Sequence, residues 1–156
     1  MVGLGTIVAS LVFVGLQMRQ AQEIALAEMG WAHMTAEMES RSRIYDFPDV
    51  WAKGNAGETL SPSEAVIYET LILDFNSLQF YRAFNVMRLT GDESEADTVL
   101  SDTAGFLFEN PGARQEWEAL RAKFRRYRGP LESADLASIW ESGVRAKLAA
   151  LEEMHD

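Results

Sequence analysis

The two histidines of the chain come closest to a catalytic or metal-binding pattern. His33 and Glu37 are four residues apart, so both side chains could reach one ion from a helix. Glu152 and His155 have the Glu-x-x-His spacing of di-iron bundles, but such centres need two of these units and two further carboxylates. We therefore expect no metal and no cofactor, and His33 and Glu37 are only weak candidate ligands.

Nucleophilic catalysis has no better starting point in this sequence. The chain has no cysteine, no Gly-x-Ser-x-Gly turn and no phosphate-binding P-loop. Neither histidine has a candidate serine beside it in the sequence. The 24 acidic residues provide many carboxylate pairs, but in an acid-rich chain such pairs carry little information. These observations predict a protein that is not an enzyme.

One polar stripe interrupts a long apolar helix predicted from Pro62 to about Thr90. At 100° per residue, its members lie within about 80° of one another. They are Thr70, Asp74, Ser77, Tyr81, Asn85 and Arg88. A polar stripe on a central helix is more often a solvated seam or an internal hydrogen-bond network, which we favour. The alternative is a pocket, for which we select Thr70, Asp74, Ser77 and Tyr81.

A second stripe is basic. Residues 111–130 carry six bases and two acids. Four of the bases share one face beside an aromatic stripe: Arg114, Arg121, Arg125 and Arg128. This pattern indicates a contact surface for anionic lipid or an acidic partner. The alternative, which we favour, is that the stripe faces the acidic segment 92–102 within one bundle.

The first 18 residues form an apolar segment without charge. At 1.5 Å per residue they extend about 27 Å, slightly less than the ~30 Å core of a bilayer. Its principal members are Leu4, Ile7, Val8, Leu11, Val12, Phe13, Val14 and Leu16. We predict a membrane-anchor helix over residues 1–18. A cleaved signal peptide and a buried core helix are the alternatives, although no basic residue precedes the apolar run. Arg19 favours a cytoplasmic position for the remainder, at a bacterial inner membrane.

The rest of the chain, residues 19–156, reads as one acidic all-α domain. The first helix is expected to continue to about Arg43, and Phe47-Pro48 then breaks it. Start signals follow at Ser61, where Ser-Pro-Ser-Glu forms a capping box, at Asp92, at Asn110-Pro111 and at Ser133. Stop signals stand at Gly54, Gly91 and Gly129-Pro130. The predicted fold is an N-terminal membrane helix that continues into a bundle of about four to five helices.

Composition limits the partners of this domain. The net charge of −10 argues against a nucleic-acid-binding protein. The content of 47% apolar and 10% aromatic residues argues against intrinsic disorder. The predicted partners are therefore the lipid bilayer and either a membrane protein or a second copy of the chain. Trp31, Met34 and Met38 are expected to pack within the domain or against that copy.

Four segments resemble, in order, a family of uncharacterised bacterial proteins: SLVFVGLQMRQ, FPDVWAKG, LSPSEAVIYETLILDF followed by FYRAF, and NPGARQEWEALRAKF. Members of that family have one N-terminal hydrophobic helix and a small helical domain. The resemblance implies this architecture but transfers no functional residue. The family typically has several more residues before the apolar run, and it often has Asn-Thr where this chain has Ala21-Gln22.

Together these features predict a single-pass, membrane-anchored and non-catalytic helical subunit that serves as an accessory, scaffold or interaction module. The alternative is a sensory or small-ligand-binding helical domain tethered to the membrane. In that case, the ligand would lie beside the polar stripe of the Pro62–Thr90 helix.

Overall fold

The protein is helical in the part of the chain that the computed structural model describes. This part comprises residues 2–91, 93–128 and 135–155, with the side chains of all but 2–6, 9, 86, 88–90 and 128. It contains six helices and no strand: α1 (Val2–Asp46), α2 (Pro48–Ala56), α3 (Pro62–Thr90), α4 (Ser94–Glu109), α5 (Pro111–Arg128) and α6 (Leu136–His155). The predicted all-α helical bundle is confirmed.

The chain divides into two compact units, residues 1–35 and 36–156. The first unit consists of the N-terminal part of α1. The second contains the rest of α1 and helices α2 to α6, and it includes the whole hydrophobic core. The boundary between these two compact units lies within α1.

The start of α3 follows the predicted capping box. The backbone N–H of Glu64 donates to Ser61 Oγ at 3.4 Å, and the N–H of Ser61 donates to Glu64 Oε2 at 2.8 Å. Lys53 Nζ lies 3.1 Å from Glu64 Oε1. The hydrogen bonds from Ser61, followed by that from Lys53, lower the pKa of Glu64 to about 2. The helix ends at Gly91 with a φ of 69°, as predicted.

The short helix α2 extends past its predicted stop. Gly54 lies inside the helix, and Gly57, with a φ of 74°, provides the left-handed cap. Gly54 serves close packing instead, since a Cβ atom there would lie 2.3 Å from the ring of Tyr68. Val50 is buried and Trp51 stacks on Phe106, with ring centroids 5.7 Å apart, so both side chains face the core.

The predicted cap of the last helix, Ser133, lies outside the described residues. Helix α6 begins at Leu136, where the Asp135 carboxylate accepts the Ala137 N–H at 3.1 Å. The helix continues to His155, whose ring packs 5.0 Å from that of Phe108.

The core lies where α4 packs against α3 and α6, and where α5 packs against α2 and α3. Its largest fully buried side chains include Trp117 from α5 and Trp140 from α6. Val99, Ala104 and Leu107 supply the apolar buried face of α4. Burial of such side chains is the main favourable contribution to folding.

The predicted anchor segment forms the beginning of α1. All of its described large apolar side chains are exposed, with exposed fractions between 49% for Val14 and 69% for Met18. Within the described side chains, no helix contains a stretch that is long and apolar enough to cross a membrane. Leu4, the first predicted anchor residue, lies outside those side chains.

Candidate functional site

A half-open cavity of about 150 Å³ lies between α3, α5 and α6. Helix α3 contributes one wall, α5 a second, and the first turns of α6 the third. The lining residues are Leu73, Asn76, Ser77, Phe80, Tyr81, Arg121, Phe124, Arg125, Ala137 and Glu141. The cavity therefore combines aromatic rings with hydroxyl, amide and charged groups, a mixture that is typical of small-ligand sites.

Arg121 is the unusual member of this lining. Only 8% of the residue is exposed, and its guanidinium lies 5.6 Å from the ring centroid of Trp117 and 5.7 Å from that of Phe124. Its buried Nε has no hydrogen-bond partner among the described residues. Burial lowers the pKa of Arg121, although nearby Glu141 opposes this shift. An arginine nevertheless remains protonated at any ordinary pH, so the lining of the cavity includes a largely buried cation.

The carboxylate of Glu141 is already engaged by other arginines. Its Oε1 lies 3.3 Å from Arg125 Nη2 and 3.2 Å from Arg145 Nη2. Arg145 also pairs with Glu118 at 2.5 Å. The three charged residues that line the cavity are Arg121, Arg125 and Glu141, and their formal charges leave one net positive charge.

Asn76 lines the cavity and joins α3 to both α5 and α6. Its Oδ1 accepts the indole N–H of Trp117 at 3.0 Å and that of Trp140 at 3.1 Å. All three residues are at least 95% buried. Because a carbonyl oxygen has two lone pairs, one amide satisfies both donors. Two hydrogen bonds to one amide oxygen thereby join α3, α5 and α6, the helices that form the walls of the cavity.

The structure brings together only part of the predicted pocket set. Ser77 and Tyr81 line the cavity beside Arg121. They also line a shallower depression with Asp74, which forms an ion pair with Arg43. Thr70 is exposed and donates to the carbonyl oxygen of Val66 at 2.9 Å. The side chain of Arg88 lies outside those described.

The predicted basic stripe is divided among different environments. Arg114 pairs with Glu152 of α6 at 2.5 Å, Arg125 pairs with Glu141 of α6, and Arg121 is buried. The side chain of Arg128 lies outside the described set. The expectation that the stripe faces the acidic segment 92–102 is not met by these pairs, because α4 packs mainly against α3 and α6. Asp97 of that segment pairs with Lys147 of α6 at 2.7 Å.

The weak metal candidates have other partners. Glu37 accepts a hydrogen bond from Arg41, and Glu152 pairs with Arg114. In the described part of the chain, no group of three or more His, Asp or Glu side chains is arranged to hold a metal ion.

Comparisons with known proteins identify no relative. No protein-family model, curated protein or solved structure matches the chain.

Sequence reasoning missed the two central residues of this site. Arg121 was assigned to the basic stripe, and Asn76 was not selected at all. The spacing contained a signal for both. Arg121 is four residues after Trp117 and three before Phe124, which places it on the aromatic face of α5. Asn76 is likewise four residues after the buried Ile72 of α3.

Proposed function

We propose that this protein is a membrane-tethered, non-catalytic helical module that serves as an accessory or interaction subunit. The observation that carries the proposal is the start of α1, where all described large apolar side chains are exposed: Ile7, Val8, Leu11, Val12, Phe13, Val14, Leu16 and Met18. Residues 11–18 are consecutive and all exposed, so they present apolar surface around the whole helix.

Such a surface is unfavourable in water. Each large apolar side chain that leaves water contributes about 1.5–3 kcal/mol. A helix that is apolar on all sides requires an apolar environment, and the uncharged segment of residues 1–18 approaches the length of a bilayer core. Lipid is therefore its proposed environment, with Arg19 at the cytoplasmic side of a bacterial inner membrane.

The experiment is fractionation of cells that express the full-length chain. We expect the wild type in the membrane fraction, resistant to salt and alkaline wash and extracted by detergent. V12R should weaken this association, because arginine within a span costs about 2.5–3.5 kcal/mol. V66R is the matched control, since Val66 on α3 is also exposed, at 66%. Recovery of the wild type without detergent in the soluble fraction would refute the anchor.

The interaction role is proposed for the exposed side chains further along α1. Trp31 is 66% exposed and Met34 43%. Together with Ala27 and Gly30 they line a shallow depression on one face of the helix. Exposed Trp and Met side chains are enriched where proteins contact one another. A membrane protein or a second copy of the chain is the proposed partner.

A second candidate function is supported by a separate observation. The cavity beside α3 contains two of the predicted pocket residues, Ser77 and Tyr81, together with the buried Arg121. A tethered domain with such a cavity is suited to binding a small ligand, either as a sensor or as a binding subunit. Binding to the cavity is tested with the probes described below.

A further inference from the structure

We propose that the cavity between α3, α5 and α6 binds a small organic carboxylate with a compact apolar body, whose carboxylate pairs with the guanidinium of Arg121. The inference rests on the ligand-binding function proposed above as the second candidate. It specifies the class of ligand and the residue that recognises it.

The charge of the ligand follows from the charged lining. Glu141 pairs with Arg125 and Arg145, and among the described residues no carboxylate forms an ion pair with the buried guanidinium of Arg121. A buried cation without an ion-pair partner is costly. A ligand carboxylate offsets this cost, because its oxygens accept hydrogen bonds from arginine in a fixed planar geometry.

The body of the ligand follows from the other walls and from the volume. Leu73, Phe80 and Phe124 supply the apolar lining, and the space of about 150 Å³ is comparable to cavities that hold one benzene ring. The hydroxyl groups of Ser77 and Tyr81 lie in the same lining and provide polar contacts. A ring or short branched chain bearing one carboxylate matches these features.

A competing explanation assigns Arg121 only a packing role, through its contacts with the Trp117 and Phe124 rings. The two explanations predict opposite effects for R121M. Methionine is apolar and removes the buried charge. If Arg121 is retained for binding, R121M should therefore bind benzoate more weakly, while its melting temperature stays the same or rises. If the arginine has only a packing role, R121M should have a lower melting temperature than the wild type, and benzoate should bind to neither protein.

The experiment titrates benzoate into the full-length protein in non-ionic detergent and records the indole N–H signals by NMR. Trp117 and Trp140 report on the cavity through Asn76, and the exposed Trp31 is an internal reference. We expect saturable shifts of the first two signals only. R121M should weaken binding at least about tenfold, as expected for one charge-assisted hydrogen bond. R126M removes an exposed charge from the same helix and should bind as the wild type does.

Benzyl alcohol, a neutral molecule of similar shape, distinguishes recognition of a carboxylate from ligand binding in general. This comparison uses the wild-type protein alone. Weaker binding of the alcohol than of benzoate supports the carboxylate assignment. Equal binding of both would overturn that assignment but retain a ligand-binding cavity. If neither probe shifts the Trp117 and Trp140 signals, both the ligand class and the ligand-binding function are refuted.

Discussion

Asn76 shows how much one polar side chain can determine inside a helical core. Its oxygen accepts two indole N–H groups from two other helices, at 3.0 and 3.1 Å. Neither indole can turn away without leaving a buried donor unsatisfied, so this contact fixes the orientation of both rings. The Trp140 ring in turn meets Phe80, which lines the cavity, edge to face with centroids 6.0 Å apart.

The first prediction tests this contact. Leucine has the same branched arrangement of heavy atoms as asparagine but no acceptor, so N76L leaves two buried donors without a partner. At about 1–3 kcal/mol for each unsatisfied donor, we expect the free energy of unfolding to fall by about 2–6 kcal/mol. Urea denaturation measures the change.

N85L is the matched control for that substitution. Asn85 is on the same helix but is exposed, so its replacement should change the stability by no more than about 0.5 kcal/mol. Equal stability of N76L and N85L would contradict the role assigned to the shared oxygen.

At the scale of the helices, α2 and the start of α5 approach each other closely at Gly112. A Cβ atom on Gly112 would lie 1.8 Å from the Gly54 carbonyl oxygen and 2.6 Å from the Gly57 backbone nitrogen. Both neighbours are backbone atoms, so no side chain can move aside to make room. The two helices can therefore meet at this distance only while glycine occupies position 112.

The second prediction compares Gly112 with Gly105, a glycine that has free space around it. G112A should lower the free energy of unfolding by more than about 2 kcal/mol, because the helices must separate. G105A should raise it by roughly 0.5–1 kcal/mol, since Gly105 lies inside α4 with nothing within 4 Å of an added Cβ. Thermal or urea unfolding of the pair provides the measurement, and loss of stability in both variants would show that the close approach is not the cause.

At the scale of the whole molecule, the core and the exposed apolar segment belong to different parts of the chain. Among the residues whose burial the structure describes, every buried apolar one is at position 50 or later, within the unit of residues 36–156. The ion pairs of that unit are largely at its surface, where each contributes about 0–1 kcal/mol. The stability of the unit therefore depends mainly on the buried aromatic and aliphatic side chains.

The third prediction concerns this unit. A fragment of residues 36–156 should fold by itself, remain in solution without detergent and unfold cooperatively in urea. Its free energy of unfolding should lie within about 1 kcal/mol of the value for the full-length chain, because the fragment retains the whole core. Circular dichroism during the titration measures this, and a fragment without a cooperative transition would show that residues 1–35 are needed for folding.

Only part of the candidate site could be predicted from the sequence: Ser77 was selected as a pocket residue, but Arg121 was not. The polar stripe selected Ser77 and Tyr81, because a polar face on an otherwise apolar helix is visible in the periodicity. The same stripe included Thr70, which is exposed at the surface. Periodicity gives the angular position of a side chain on its own helix, but the neighbouring helix decides which part of a face is covered.

The sequence by itself determined the helical class and most helix boundaries, because the capping box at Ser61, the stop at Gly91 and the start at Pro111 act through local backbone contacts. Tertiary structure decided the rest. It placed α4 against α3 and α6, carried α2 past Gly54, and enclosed Arg121 beside Asn76. These outcomes depend on which faces meet between residues tens of positions apart, and local spacing does not contain that information.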